Sequence, residues 1–165
     1  MKALRLAALA LMAMTGTARA EPPEALSGID QIVVRKTERT LTLYSRGRAL
    51  HVISGIQLGD MPVGPKRFQG DERTPEGRYE IDYGNPRSAY HLSLHISYPN
   101  AADVAYAASQ GRSAGGLIFI HGQPNDRPHG RLGGDWTDGC IAVSNEEIEL
   151  LWETVGDGTV IDILP

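Results

Sequence analysis

The sequence has little cysteine and no excess of positive charge, and each shortage excludes a class of protein. One cysteine in 165 residues excludes an intramolecular disulfide framework and any zinc or iron–sulfur site built from several cysteines. A formal charge of −4 argues against nucleic acid as the main partner. With 41% hydrophobic and 22% charged residues, the chain has the composition of one folded globular domain.

The sequence also lacks an apolar run long enough to span a membrane. Its N-terminal run, residues 6–14, is nine residues long, where a membrane span needs about 20. Lys2 and Arg5 precede this run, and the small-residue pattern Ala18-Arg19-Ala20 follows it. This arrangement predicts a signal peptide over residues 1–20, followed by a flexible leader over residues 21–28. We therefore expect a soluble, exported product without a transmembrane segment.

The rest of the sequence predicts a mainly β (α+β) domain with two short helices. Strands are expected where β-branched and alternating apolar residues recur: 32–35, 40–44, 49–58, 78–83, 91–97, 117–121 and 159–164. An alanine-rich segment predicts a helix over residues 100–110, and a capping box at Ser144 and Glu147 predicts a second over residues 144–155. An 18-residue loop, 122–139, is longer than most connections and so favours a functional role.

The only cysteine follows that long loop, and a histidine precedes it. His121 ends a predicted strand, and Cys140 stands on the glycine-containing turn Thr137-Asp138-Gly139-Cys140. An imidazole can accept the proton of a thiol, and the amides of such a turn can stabilise an oxyanion. Spacing alone leaves open a second interpretation, in which Cys140 is an inert buried residue.

Four separated motifs carry a resemblance to a known family. They are IHG at 120–122, TDGCIAVSN at 137–145, GDERTPEGRY at 70–79 and HISYPN at 95–100. These motifs, in the order in which they follow one another along the chain, resemble the catalytic domain of the L,D-transpeptidases (YkuD domain), over roughly residues 29–164. The resemblance implies a β-sandwich-like domain with mixed sheets. It also implies a cysteine acyltransferase that acts on peptidoglycan stem peptides, in the periplasm or at the cell wall after export across the inner membrane.

The resemblance assigns roles to particular residues. Cys140 matches the nucleophile and His121 its base, while the carbonyl of Gly122 orients the imidazole. The backbone N–H groups of Asp138, Gly139 and Cys140 match the oxyanion hole. The thiolate would attack the carbonyl of an L-centre, typically diaminopimelate, expel D-alanine and form a thioester, and a carbapenem would form an adduct at the same sulfur. We expect a monomer and neither a metal nor an organic cofactor.

Two departures from the family pattern bear on the substrate. Asp138 stands where the family often has histidine, and Ala142 stands where it often has an arginine that helps to fix an anionic substrate. We therefore expect another cation to bind a substrate carboxylate, because arginine matches carboxylates well. The candidates are Arg73, Arg127 and Arg131, and His95 and Tyr98 are further candidates for lining the cleft.

Two other functions remain open from the sequence. A hydrolase of peptidoglycan crosslinks would use the same Cys140–His121 pair with water as the acceptor. A wall-binding module that has lost activity would keep the fold without the chemistry. Cleft shape and water access decide between transfer and hydrolysis, and neither can be read from the sequence. The intact Cys140 and His121 argue against the inactive module.

Overall fold

The computed structural model describes residues 26–127 and 130–165. The predicted signal peptide and most of the predicted leader lie outside these residues. The described chain contains β1 Gln31–Arg35, β2 Thr40–Ser45, β3 Arg48–Ser54, β4 Gly77–Ser88, β5 His91–Ile96, α1 Ala101–Ser109, β6 Ile118–His121, β7 Ile141–Ala142, α2 Asn145–Thr154 and β8 Thr159–Leu164. Neither helix in this part of the chain combines the length and apolar character that a membrane span requires.

The strands form one mixed sheet in the order β3-β2-β1-β8-β4-β5-β6-β7. The pairs β1–β8 and β6–β7 are parallel, and the other neighbours are antiparallel. The segment after β3 pairs through Gln57 with Ala142 and through Gly59 with Thr137. One end of the sheet is thereby joined to the other, so the sheet curls around its core. The predicted mainly β fold with a mixed sheet and two short helices is confirmed.

Alternating apolar residues explain which face of β1 and β2 packs against the core. Ile32 and Val34 of β1 and Leu41 and Leu43 of β2 point to the same face and are fully buried, while their neighbours are partly exposed. A turn at Arg46 and Gly47, both with positive φ, joins β2 to β3. Two residues of positive φ match the right-handed twist of a hairpin.

Helix α2 covers the sheet close to the long loop. It begins with the predicted capping box, in which Ser144 Oγ accepts from the Glu147 amide and the Glu147 carboxylate accepts from the Ser144 amide. Ile148 and Leu151 are fully buried against the sheet, and the helix packs on β5 and β6. The helix therefore fixes the chain that leaves the turn at Cys140.

The largest differences from the sequence prediction concern β3, β4 and β7. Strand β3 ends at Ser54 because Gly55, with φ +71°, turns the chain towards the opposite end of the sheet. Strand β4 continues to Ser88, since its second half forms a hairpin with β5. The two-residue strand β7 was not predicted, because its residues pair only through long-range contacts.

Candidate active site

A cleft of about 490 Å³ lies at the ends of β6 and β7. Both His121 and Cys140 line it. They come together because β6 and β7 are parallel, with Ile120 beside Ile141 and His121 beside Ala142. This register places Cys140 level with Phe119, two residues before His121 on β6. The other lining residues come from the β4–β5 hairpin and from the segments that precede His121 and Cys140 in the chain. They are Asn85, Ser88, Ala89, Tyr90, Ser93, Gly116, Leu117, Ile118, Phe119, Trp136, Thr137 and Asp138.

His121 is held in one orientation and one tautomer. Its Nδ1 atom lies 2.7 Å from the carbonyl oxygen of Gly122. A carbonyl oxygen only accepts, so Nδ1 carries the proton and Nε2 of the neutral ring keeps a lone pair. The imidazole is 3% exposed, and burial lowers its pKa more than the Gly122 hydrogen bond raises it. The neutral base is thus the resting form.

Aromatic rings fix the plane of that imidazole. Tyr90 stacks on it with ring centroids 4.5 Å apart, and Trp136 contacts it edge-on at 5.6 Å. The Nε1 atom of Trp136 is buried and has no hydrogen-bond partner in the described part of the chain. Tyr90 was missed from the sequence, because nothing in the residues around it predicts that the β4–β5 hairpin reaches His121.

Cys140 rests as a neutral thiol. Its Sγ lies 3.6 Å from the carbonyl oxygen of Leu117, to which the thiol donates. Burial raises the pKa of this thiol, and the charge of Asp138 acts in the same direction. A hydrogen bond from the Phe119 amide and the charge of Lys66 act in the opposite direction and are outweighed. The thiol therefore needs a base to become a nucleophile near neutral pH.

The turn before Cys140 presents backbone amides. The Thr137 hydroxyl accepts from the Gly139 amide at 3.2 Å and donates to the Cys140 carbonyl at 2.7 Å. The amides of Asp138 and Cys140 have no acceptor within residues 26–127 and 130–165. Of the three amides predicted for an oxyanion hole, Gly139 is thus engaged with Thr137, and those of Asp138 and Cys140 are available.

Two glycines permit close approach at this site. Gly139 has φ +127°, and a Cβ there would lie 2.5 Å from the carbonyl oxygen of Arg73. A Cβ on Gly122 would lie 2.6 Å from Oδ1 of Asn145, which accepts from the Gln123 amide. Side chains at these positions would displace the turn that carries Cys140 and the carbonyl that orients His121.

Buried amide side chains hold the long loop in place. Gln57 donates to the carbonyls of Leu132 and Gly134 at 2.6 and 2.5 Å. Gln123, which is 1% exposed, donates to the Val143 carbonyl at 2.7 Å and accepts from the Leu132 amide at 2.9 Å. Because both side chains are satisfied by the loop, they tie Trp136 and the Cys140 turn to the sheet.

Tyr98 and His95 take different places from those expected at the cleft. Tyr98 is 2% exposed, and its hydroxyl donates to the Ala114 carbonyl at 3.0 Å, so it is a packing residue rather than a wall of the cleft. His95 stacks on Tyr83 with centroids 4.5 Å apart and contacts Phe119 edge-on at 4.8 Å. His95 pairs with Phe119, which lines the cleft, but it lies two residues along β5 from Ser93 and does not line the cleft itself.

The structure does not bring the three candidate arginines to the cleft. The Arg73 guanidinium lies beside Gly64. Arg127 is exposed and is not a lining residue. Arg131 donates to the carbonyls of Ser54 and Gly55 and pairs with Glu147, which ties the loop to α2. The expectation that one of them supplies the cation of the cleft is corrected by this placement.

Comparisons with known proteins agree with this architecture. The family model of the L,D-transpeptidase catalytic domain matches residues 29–163. The putative L,D-transpeptidase YafK of Escherichia coli K12 is 30% identical over 129 residues, which are 75% of this chain and 46% of YafK. The chain thus spans about half the length of the curated relatives it matches.

Solved structures give the same result for the fold. The helical cell shape determining protein Pgp2 of Campylobacter jejuni has a TM-score of 0.64 and 29% identity, covering 83% of this chain and 48% of Pgp2. An L,D-transpeptidase of Mycobacterium smegmatis has a TM-score of 0.54 at 14% identity, covering 84% of this chain and 59% of the other, a likeness of fold alone. The chain belongs to the L,D-transpeptidase catalytic domain family.

Proposed function

We propose that the protein is an exported cysteine L,D-transpeptidase that acts on peptidoglycan stem peptides through a thioester at Cys140. One observation carries this proposal: Cys140 and His121 line one cleft, and the Gly122 carbonyl holds the Nδ1 proton so that Nε2 is free to act as a base. Membership of the family supports the class of substrate.

The reaction begins with a proton transfer inside a neutral pair. His121 Nε2 takes the thiol proton as Sγ forms a bond to the substrate carbonyl carbon, and the carbonyl oxygen becomes an oxyanion. The free amides of Asp138 and Cys140 stabilise that oxyanion. Collapse breaks the carbon–nitrogen bond, and the imidazolium returns its proton to the leaving D-alanine amine.

The second half of the reaction resolves the thioester. An acceptor amine attacks the thioester carbonyl, His121 takes a proton from the amine, and the thiolate leaves and is reprotonated. Water in place of the amine would give hydrolysis with the same residues. The neutral resting pair predicts that activity falls at acid pH as His121 is protonated, below the ordinary pKa of histidine because burial lowers it.

The test is product analysis of purified protein with disaccharide tetrapeptides and an added D-amino acid. Dimers or exchange products detected by mass spectrometry support transfer. Trimmed monomers alone would mean hydrolysis, and no product from any stem peptide, crosslinked or not, would favour the wall-binding module. Cys140→Ala is the control: product formed by this variant at the wild-type rate would overturn the role of Cys140.

A carbapenem gives an independent test of the nucleophile. We expect a mass increase of one carbapenem on the wild-type protein and none on Cys140→Ala, because the β-lactam carbonyl acylates the same sulfur. Export and action at the cell wall are part of the proposal. They are supported by the N-terminal pattern and by the similarity to Pgp2, a helical cell shape determining protein. Fractionation of cells that produce the full chain tests them.

A further inference from the structure

Lys66 is a buried lysine beside the catalytic cleft. Its side chain is 4% exposed, and its Nζ lies 2.9 Å from Oδ1 of Asp71. Asp71 also accepts from the backbone amides of Arg67, Phe68 and Arg73. Burial raises the pKa of Asp71, but the bonds from Lys66 and these amides outweigh burial, so the pKa lies below its usual value and the residue is a carboxylate. A fully engaged carboxylate thus holds the ammonium in place.

The ammonium of Lys66 has donors to spare. Asp71 is its only acceptor in the described part of the chain, although an ammonium carries three N–H donors. A second buried lysine shows the contrast: Lys36 donates to the Gly64 carbonyl at 2.7 Å, the Thr74 carbonyl at 3.0 Å and the Glu76 carboxylate at 2.9 Å. Lys36 is satisfied by the protein, whereas Lys66 has two donors left for a ligand.

A recess of about 350 Å³ is lined in part by Lys66. It is lined by Lys66, Gln69, Gly70, Glu72, Gly115, Gly116 and Asp138. Gly116 and Asp138 also line the cleft that holds Cys140, so the recess and the cleft meet there. Three of the lining residues are glycines, so a peptide can approach this wall closely. Glu72 and Asp138 are exposed, and neither has an ion-pair partner among the residues described.

Charge decides what the spare donors bind. The chain is acidic overall, with a formal charge of −4, and the three candidate arginines lie elsewhere. Lys66 is the lysine that lines the recess, and hydrogen bonds between an ammonium and a carboxylate are among the strongest a protein makes. Gly116 and Asp138 line both the recess and the cleft that holds Cys140, so the two spaces are neighbours. A ligand of Lys66 in the recess therefore adjoins the carbonyl that Cys140 attacks.

We propose that Lys66 binds the carboxylate of the residue that leaves when Cys140 attacks the stem peptide, and so selects peptides with a free C-terminal carboxylate there. The assignment rests on the proposed function of Cys140. Lys66 supplies the positive charge that the sequence lacks at position 142, where Ala142 stands. It acts from a different loop, which folds over the Cys140 turn through the close contact of Arg73 with Gly139.

The experiment compares a tetrapeptide stem with its C-terminal amide. For the wild-type protein we expect kcat/KM to be about 10–100-fold higher with the acid, the usual value of a hydrogen bond to a charged group. Lys66→Met should remove this preference. It should lower kcat/KM for the acid and leave kcat/KM for the amide within about threefold of the wild-type value. Lys66→Arg should keep part of the preference. Arg67→Met, which removes a charge from an exposed neighbouring side chain, should keep all of it.

The outcomes separate this proposal from the proposed function. Equal losses with acid and amide in Lys66→Met, or no preference in the wild-type protein, would overturn the role of Lys66 while leaving Cys140 chemistry intact. If the wild-type protein turns over neither peptide, the proposed function fails. In that case the role of Lys66 is decided by binding, measured for both peptides with Cys140→Ala and with the double variant Cys140→Ala/Lys66→Met. Tighter binding of the acid than of the amide, lost in the double variant, supports the role. Any other result overturns it. Thermal unfolding confirms that each variant is folded.

Discussion

Asp138 shows how a single residue affects the pKa of the Cys140 thiol. The carboxylate is exposed and raises the pKa of the Cys140 thiol, in addition to the larger effect of burial. The family often has histidine at this position, so the aspartate keeps the thiol protonated where a cation would favour the thiolate. In the proposed mechanism, His121 as the base, rather than a stable ion pair, therefore generates the nucleophile.

Asp138→Asn should therefore lower the pKa of the Cys140 thiol. The measurement is the rate of alkylation by iodoacetamide against pH, whose midpoint should move to lower pH because a negative charge beside the thiolate is removed. Asp126→Asn removes an exposed carboxylate from the same loop away from the cleft and should leave the midpoint unchanged. A midpoint that stays in place or rises in Asp138→Asn would contradict the account.

At the scale of elements, the turn that ends the long loop is what positions Cys140. The turn is held on one side by Thr137 and on the other by the carbonyl of Arg73, against which Gly139 packs. The chain then enters β7 and the capped start of α2. The position of the sulfur thus depends on backbone contacts from three parts of the sequence.

Gly139→Ala should destabilise the protein and reduce activity. The new Cβ would lie 2.5 Å from the Arg73 carbonyl oxygen at a φ of +127°, which costs about 1–3 kcal/mol of the free energy of unfolding. Gly133→Ala is the matched control in the same loop, since a Cβ there has nothing within 4 Å. Urea unfolding measures both, and equal stability of the two variants would show that the turn does not require glycine.

Much of this architecture could be predicted from local patterns. The alternation in β2, the apolar run of β6 and the Ser144–Glu147 capping box each indicate their elements, because each pattern is carried by residues close together in the sequence. The turn around Cys140 and the strand-end His121 were indicated by residue type. Strand β7 could not be predicted, since two residues carry no periodicity and their pairing depends on Gln57, far away in sequence.

The positions of the charged and aromatic side chains around the cleft were harder to predict for the same reason. Positive charge in the sequence does not say where a side chain ends: Arg131 serves α2 and the loop, while Lys66 reaches the recess because Asp71 holds it there. His95 lies on the same face of β5 as Ser93, which lines the cleft. It is two residues further along the strand and does not line the cleft. Only the curl of the sheet decides which of these groups meets the sulfur.

At the scale of the whole molecule, two titratable groups, the buried His121 and the partly buried Cys140, link stability to pH. The pKa of His121 is lowered and that of Cys140 is raised, both chiefly by burial. The folded state therefore keeps both groups neutral where the unfolded state would charge them. The stability that these groups contribute is complete between the ordinary pKa values of 6.5 and 9.0. It falls outside that range.

We expect the free energy of unfolding to fall as the pH decreases below about 6.5. As the pH decreases, His121 is protonated at a higher pH in the unfolded state than in the folded state, where burial lowers its pKa. Urea unfolding at a series of pH values measures this slope. The variant His121→Gln has no titrating group at this position, so its slope over the same range should be smaller. An equal slope in both proteins would show that the histidine does not titrate differently on folding.

The most direct test of the central claim is the intact mass of the protein during turnover. Wild-type protein quenched in acid while it consumes a tetrapeptide stem should carry the acyl group on Cys140, located by peptide mapping. His121→Gln should form this adduct about 10²–10⁴-fold more slowly, because it lacks the base. Cys140→Ala should form none. Consumption of the stem peptide without an adduct on Cys140, or an equal rate of acylation in His121→Gln, would contradict a thioester mechanism driven by this pair.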